Sequence, residues 1–164
     1  MKSSKTEETE KFMSIVRSNE RVIYKICTFY VSPEYSLNDL YQEVICNLWE
    51  AWPRFRNECA VSTWIYRITL NTCISGLRKL RSRPSSVTIH DVPDTFVTPD
   101  DLTDNIREMY RMIYSLPQLE RSLILLWLDE KSYREIADIT GLTVGNVGIK
   151  IKRIKEKLVQ MSNQ

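Results

Sequence analysis

Apolar side chains recur at intervals of three and four residues along most of this chain of 164 residues. Because an α-helix turns once about every 3.6 residues, this spacing places them on one face of a helix. The sequence contains only 4 glycines and 6 prolines, too few for the turns of a protein built from many short strands. We therefore predict an all-α fold.

The first half of the chain carries three amphipathic patterns. They lie at residues 6–30, 36–52 and 62–80. Pro33 and Pro53 separate them, since proline lacks the backbone N–H that would continue a helix. Ser36 is a plausible N-cap, with Asp39 three residues later. Residues 6–82 are thus predicted to form one helical bundle.

Residues 83–100 show no helical period and contain three prolines among serine, threonine and aspartate. We predict an extended linker between two domains here.

A second helical domain is predicted over residues 101–161. In it, a short helix opened by a capping box at Ser132 and Glu135 is followed by a turn containing Gly141 and by a longer helix capped by Thr143. This layout is typical of a helix-turn-helix, although an ordinary helical hairpin with a charged surface has the same pattern. The last helix should expose its polar residues away from its apolar stripe.

Charge is unevenly distributed along the chain, although the net charge is only +2. Residues 67–83 contain five basic residues and no acid, residues 91–104 contain five acids and no lysine or arginine, and residues 148–157 contain five basic residues against one acid. A single run of this kind is often a solvated helix face. Two basic runs, each at the end of an amphipathic helix, favour a nucleic-acid partner.

Enzymatic, metal and cofactor sites find little support. There is one histidine, His90, no glycine-rich phosphate loop, and the four cysteines are thirteen or more residues apart. We predict no catalytic residue, no metal site and no cofactor. Cys27, Cys46 and Cys73 fall in helical patterns and are expected to be buried, whereas Cys59 lies in a loop where its redox activity is left open.

The longest unbroken apolar run is six residues, at 123–128, and the first residues are polar. A membrane-spanning helix needs about 20 apolar residues, so we expect no membrane insertion. We expect a cytoplasmic protein.

Several motifs resemble those of bacterial sigma factors. Residues 116–121 (LPQLER), 123–126 (LILL), 133–137 (YREIA) and 141–143 (GLT) resemble region 4. Residues 39–44 (DLYQEV) with 48–49 (LW) resemble the region 2 helix that docks on RNA polymerase, and segments within 55–78 resemble the promoter-melting part of region 2. The two regions, separated by a linker, have the layout of the extracytoplasmic-function (ECF) class. The resemblance covers about residues 8–160.

This resemblance implies roles for three groups of residues. Polymerase docking is expected of Asp39, Gln42, Glu43 and Trp49. Contact with the −10 element, including a base flipped from the non-template strand, is expected of Phe55, Arg56, Asn57, Arg67, Asn71, Arg78 and Lys79. Contact with the −35 element is expected of Arg134, Asn146, Lys150, Lys152 and Arg153.

Two tryptophans have competing interpretations. Trp49 extends the apolar stripe of its helix, so an exposed anchor and a core position both remain open. Trp64 shares a helical register with Ile68, which favours core packing over a wedge between bases.

The recognition helix departs from the family pattern. Gly148 and Ile149 stand where many members carry a basic and a small polar residue that touch bases, and Gly145 and Gly148 each weaken a helix by about 1 kcal/mol. Base readout is therefore expected of Asn146, Lys150 and Lys152, or partly of DNA shape.

The resemblance implies a transcription initiation factor whose partners are core RNA polymerase, promoter DNA and an anti-sigma factor. Its acidic linker is either a solvated tether or an imitation of the transcript in the polymerase's RNA channel. Two other functions remain open, namely a stand-alone helix-turn-helix regulator and an interaction protein that no longer reads DNA.

Overall fold

The structure of the chain is a computed structural model that describes residues 2–81 and 103–164, with side chains at 4–76 and 103–164. The predicted linker and the side chains of Arg78 and Lys79 lie outside the described residues. Within those two ranges the chain forms helices and no β-strand, which confirms the predicted all-α fold. The chain divides into two compact units, with the division between Leu80 and Arg81.

The first unit is built from four α-helices and one short 3₁₀ helix over its described residues. They are α1 (Lys2–Ser18), α2 (Glu20–Thr28), α3 (Leu37–Ala51), the 3₁₀ helix (Trp52–Arg54) and α4 (Val61–Arg81). Ser36 caps α3 as predicted, since its hydroxyl oxygen accepts the N–H of Asp39 at 3.2 Å. Pro53 lies in the 3₁₀ helix that ends α3.

The single helix predicted over residues 6–30 is wrong, because the chain forms two helices that meet at Asn19. The side-chain amide of Asn19 donates to the carbonyl of Ile15 at 2.9 Å, and its backbone N–H bonds to the carbonyl of Val16 at 3.1 Å. Asparagine offers the backbone such local partners in place of the helical ones, and the helix is interrupted there. Because the apolar periodicity continues across Asn19, the sequence pattern gives no sign of the interruption.

The core of the first unit lies between α2, α3 and α4. Its fully buried residues include Ile23, Ile26, Cys27, Leu40, Val44, Leu48, Ile65 and Cys73. The expected burial of Cys27 and Cys73 is confirmed, but that of Cys46 is wrong, because Cys46 is exposed. Cys46 lies off the α3 face that carries Val44 and Leu48, so its position within the helical pattern misled the prediction.

The second unit contains four α-helices over its described residues. They are α5 (Asp104–Ser115), α6 (Gln118–Leu128), α7 (Tyr133–Thr140) and α8 (Val144–Ser162). α8 packs against α6 and α7, and its stripe of Val147, Ile151 and Ile154 is buried. Pro117 lies at the N-cap of α6, one position before its first turn.

A buried arginine secures the corner between α5 and α6. Nη2 of Arg121 donates to the carbonyl oxygens of Tyr114, at 2.6 Å, and of Leu116, at 3.0 Å. The guanidinium also lies over the Tyr114 ring, 4.8 Å from its centroid. Carbonyls at the C-terminus of α5 have no partner within the helix, so this side chain satisfies them.

Candidate nucleic-acid interface

The second unit contains the predicted helix-turn-helix, and α7 begins with a complete capping box. The hydroxyl oxygen of Ser132 accepts the N–H of Glu135 at 3.2 Å, while a carboxylate oxygen of Glu135 accepts the N–H of Ser132 at 2.7 Å. Hydrogen bonding of the Glu135 carboxylate, first to the backbone N–H of Ser132 and then to its side chain, lowers the pKa of Glu135. The two reciprocal hydrogen bonds therefore stabilise the N-terminus of α7.

The turn between α7 and α8 depends on a glycine. Gly141 has φ +78°, a left-handed conformation that favours glycine, and its N–H bonds to the carbonyl of Ala137 at 2.9 Å. Two residues later the hydroxyl oxygen of Thr143 accepts the N–H of Asn146 at 3.2 Å and caps α8. The turn and the cap together set the direction in which α8 leaves.

Gly148 lies where α7 and α8 meet. A Cβ atom at this position would lie 3.4 Å from Cε2 of Tyr133, which is ordinary van der Waals contact. No atom lies within 4 Å of the corresponding point at Gly145. Gly148 therefore faces the Tyr133 ring, whereas Gly145 faces open space.

The outward face of α8 is polar and cationic, as the sequence predicted. Asn146, Lys152 and Arg153 are exposed, and so is Arg134 on α7, whereas Lys150 is half-buried. Two further lysines of α8 are engaged within the unit. Nζ of Lys155 lies 4.8 Å from the centroid of the Trp127 ring, and Nζ of Lys157 lies 3.0 Å from a carboxylate oxygen of Glu120.

Ile149 is a large apolar residue on this outward face. Ile149 is 54% exposed, while the residues on the opposite side of the helix, Val147, Ile151 and Ile154, are buried. The sequence identified Ile149 as a departure from the family pattern but assigned it no role.

In the first unit, the loop between α3 and α4 is anchored by five aromatic rings that we call the aromatic cluster. Its members are Phe12, Trp49, Trp52, Phe55 and Trp64. The shortest centroid distances are 4.9 Å between Phe55 and Trp64 and 5.0 Å between Phe12 and Trp49. Trp64 is 8% exposed, which confirms its predicted core position. The cluster ties the start of the loop to α1 and α4.

The residues predicted to contact the −10 element begin at this loop. Phe55 is half-buried in the aromatic cluster, while Arg56 and Asn57 are exposed. Asn57 has φ +57°, a left-handed conformation that asparagine adopts more readily than most residues. On α4, Arg67 is half-buried and Asn71 is exposed. The loop therefore presents a guanidinium and an amide beside a rigid aromatic base.

The residues predicted to dock on polymerase lie on α3. Asp39 and Gln42 are exposed, and Asp39 accepts a hydrogen bond from the hydroxyl of Ser36 at 2.8 Å. Glu43 is half-buried and accepts a hydrogen bond from the hydroxyl of Tyr35 at 2.6 Å. This bond to the carboxylate raises the pKa of Tyr35, since it holds the phenol proton.

Trp49 is partly buried and partly exposed. It is 43% exposed, and the covered part of its ring meets Phe12 edge to face. It therefore belongs to the aromatic cluster and also presents an apolar surface to solvent beyond the end of α3's buried stripe.

Sequence reasoning missed the residues that hold these sites in place. Phe12 and Trp52 anchor the loop, Tyr35 engages Glu43, and Tyr133 fills the space beside Gly148. The only available signal was the number of aromatic residues near the motifs, which does not specify their partners.

Among the described side chains, no group of three or more histidine, cysteine, aspartate or glutamate residues is placed to hold a metal ion. Over the same parts of the chain, no helix combines the length and the apolar character needed to span a membrane.

Comparison with known proteins assigns both units to one family. Residues 15–83 match the family model of sigma-70 region 2, and residues 106–158 match that of sigma-70 region 4. The ECF RNA polymerase sigma-E factor of Escherichia coli (strain K12) is 29% identical over 165 residues, which cover 92% of this chain and 86% of that protein. The ECF RNA polymerase sigma factor SigW of Bacillus subtilis (strain 168) is 26% identical over 175 residues, covering 96% and 92%.

Solved structures show the same fold. A sigma factor RpoE in complex with the anti-sigma factor NepR from Bartonella quintana has a TM-score of 0.74 at 18% identity and covers 94% of this chain and 98% of that chain. CnrH in complex with the cytosolic domain of CnrY has a TM-score of 0.68 at 19% identity, covering 94% and 89%. With region 2 followed by region 4, and with ECF relatives aligned over nearly its whole length, the chain belongs to the ECF class of RNA polymerase sigma factors.

Proposed function

We propose that this sigma factor brings core RNA polymerase to a two-part promoter, reading a −35 element with its second unit and helping to melt a −10 element with its first. It performs these steps by binding, with no covalent chemistry. The observation that carries the proposal is the cationic outward face of α8, supported by a capped helix-turn-helix in a chain that also matches region 2.

The −35 step depends on the geometry of α7 and α8. A helix fits the major groove, where side chains of its N-terminal half reach base edges and its cations bind phosphates. Lys152 and Arg153 are exposed on this face and are suited to phosphate, while Asn146 in the first turn has an amide that can both donate to and accept from bases. Arg134 at the start of α7 adds a further cation.

The −10 step depends on the loop after α3. Extruding a base from a duplex costs a few kcal/mol of stacking free energy, which interactions in a protein pocket must offset. Arg56 and Asn57 are exposed at the loop and Asn71 is exposed on α4, so they offer hydrogen bonds. Phe55 is held by Trp52 and Trp64, and the aromatic cluster thereby supplies a fixed support for the loop.

Docking on polymerase is assigned to α3. Asp39 and Gln42 are exposed near its start, and Trp49 presents a partly exposed ring near its end. Large aromatic side chains beside polar groups are common at the centres of protein interfaces. Glu43, which Tyr35 holds in place, would then contribute a charge of fixed orientation.

An anti-sigma factor is proposed as a further partner. One of the two solved structures contains a sigma factor RpoE bound to the anti-sigma factor NepR. The other contains CnrH bound to the cytosolic domain of CnrY. The similarity in fold supports a partner of this kind without identifying it.

The proposal is tested by transcription from a genomic promoter library with purified core polymerase and the full chain. We expect transcripts that start at a defined set of promoters, absent when either protein is omitted. The chain should also co-purify with core polymerase subunits. Tight binding of the chain to duplex DNA without any affinity for polymerase would instead identify a stand-alone regulator. Failure to direct any transcript or to bind polymerase contradicts the proposal.

A further inference from the structure

The outward face of α8 combines cations with an exposed apolar side chain. Successive residues of a helix are rotated by about 100°, so residues 145, 149, 152, 153 and 156 share the face opposite to Val147, Ile151 and Ile154. Those three are buried against the rest of the unit, whereas Ile149 is 54% exposed at the middle of the opposite face. Lys152 and Arg153, one turn later, are exposed beside it.

Single exposed apolar residues are common on protein surfaces and need no special explanation. Ile149 differs from such a residue in its position. It lies on the face that a recognition helix turns toward DNA, between an amide at Asn146 and two cations. If this face were only solvated, a polar residue would suit the position better. The proposed orientation of α8 on DNA therefore turns the side chain of Ile149 toward bases.

The neighbouring glycine leaves this side chain accessible. Gly145 lies one turn before Ile149 on the same face, and no atom of the protein lies within 4 Å of the point where its Cβ would be. Gly148 faces the Tyr133 ring, whereas Gly145 faces open space. Absence of a side chain here lets the backbone of α8 approach a ligand closely.

One chemical group in the major groove suits an apolar side chain. Thymine carries a C5-methyl group there, and no other base of ordinary DNA does, so an aliphatic contact discriminates in its favour. Lysine and arginine on the same face would hold the flanking phosphates and fix the register.

We infer that Ile149 reads a thymine of the −35 element through its C5-methyl group, with Gly145 providing the clearance for α8 to approach. This inference rests on the proposed function and names the base to which its second unit responds. It also explains how a recognition helix with glycine and isoleucine at positions 148 and 149 retains sequence preference.

The test uses holoenzyme assembled from core polymerase and the full chain, on a promoter selected by transcription. Each −35 thymine is replaced in turn by deoxyuridine, which removes the methyl group and leaves every hydrogen-bonding atom. At one position we expect binding to weaken about fourfold, the effect of one buried methyl-sized group. Ile149→Ala should weaken binding to the unmodified promoter by a similar factor and show no further loss with deoxyuridine.

Two matched variants separate this effect from general binding. Val159→Ala shortens another strongly exposed aliphatic residue of α8, at 59% exposure and about 15 Å farther along the helix, and should leave binding unchanged. Lys152→Ala should weaken binding while keeping the full response to deoxyuridine. Thermal unfolding of each variant checks that the fold is retained.

Promoter-directed transcription without any deoxyuridine effect, or an undiminished effect in Ile149→Ala, overturns the inference and leaves the proposed function standing. Absence of any promoter-directed transcript overturns both.

Discussion

Nη2 of Arg121 lies 2.6 Å from the carbonyl oxygen of Tyr114 and donates a hydrogen bond to it. The guanidinium also lies over the tyrosine ring, so one side chain binds both the backbone and the ring of the same residue. Burial of the phenol raises the pKa of Tyr114, although the nearby positive charge opposes this change. The motif that resembles region 4 therefore contains a residue whose observed contacts are structural.

Replacing Arg121 should destabilise the second unit. Arg121→Met removes the charged donor and leaves the buried carbonyls of Tyr114 and Leu116 without it, which should lower the free energy of unfolding by roughly 2–4 kcal/mol. Chemical denaturation followed by circular dichroism measures the change. Arg111→Ala is the control, because Arg111 pairs with Glu108 at 3.2 Å in solvent. Its effect should be below about 1 kcal/mol. Equal stability of the two variants would contradict this assignment.

The capping box predicts a pH dependence of stability. Because the pKa of Glu135 is lowered in the folded state, its stabilising effect is fully present above the ordinary carboxyl pKa of about 4.3 and is lost as the pH falls through the lower folded value. Glu135→Gln should therefore have a lower melting temperature than the unaltered protein at pH 7. The gap should narrow in acid below about pH 4. A gap of constant size down to acid pH would argue against a role for this carboxylate.

The exposed cations of α8 should bind phosphates and so respond to salt. Replacing both Lys152 and Arg153 by alanine should weaken promoter binding by holoenzyme and reduce the slope of log affinity against log salt by about 2. Lys157→Ala serves as the control, since Lys157 is paired with Glu120 at 3.0 Å, and its slope should change less. An unchanged slope in the double variant would exclude these residues from the DNA contact.

Trp49 should contribute to polymerase binding through its exposed part. Trp49→Ala is expected to weaken affinity for core polymerase about tenfold or more, as for a central aromatic residue of an interface. Because the ring also contacts Phe12, melting temperatures must be compared. Trp49→Phe keeps a ring at this position while reducing the exposed area, so it should fold normally and show an intermediate loss. Full affinity in Trp49→Ala would remove the residue from the docking surface.

The four cysteines should react with thiol reagents in a defined order. Cys46 is exposed and should be alkylated first, followed by half-buried Cys59, while Cys27 and Cys73 are buried with their Sγ atoms 3.9 Å apart. The hydrogen bond with Cys27, together with burial, raises the pKa of the Cys73 thiol and further slows its reaction. Mass spectrometry of partly alkylated protein measures the order. Early modification of Cys73 in folded protein would contradict the packing of α2 against α4.

Features that depend on neighbouring residues in the sequence were predictable. The capping box at Ser132, the left-handed Gly141 and the caps at Ser36 and Thr143 each follow from a residue type and its spacing, and all are present. The two regions and their family were also recognisable, because the motifs occur in both halves in the expected order.

Features that depend on contacts between distant residues were not predictable. The break at Asn19 is set by a side chain that competes with the helix while the apolar stripe continues across it. Exposure of Cys46 depends on which face of α3 meets the core, and the Tyr133 ring beside Gly148 depends on how α7 crosses α8. A hydrophobic period identifies a helix and its buried face, but the partner of each side chain follows only from tertiary packing.

The aromatic cluster has a spectroscopic consequence. Of the 4 tryptophans in the sequence, Trp49, Trp52 and Trp64 belong to it, whereas Trp127 lies in the second unit beneath Lys155. Replacing Trp127 by phenylalanine leaves an intrinsic fluorescence that originates in the first unit and reports on the loop after α3. In the isolated protein, the emission of such a variant would follow unfolding of the first unit separately from that of the second, with no dye attached.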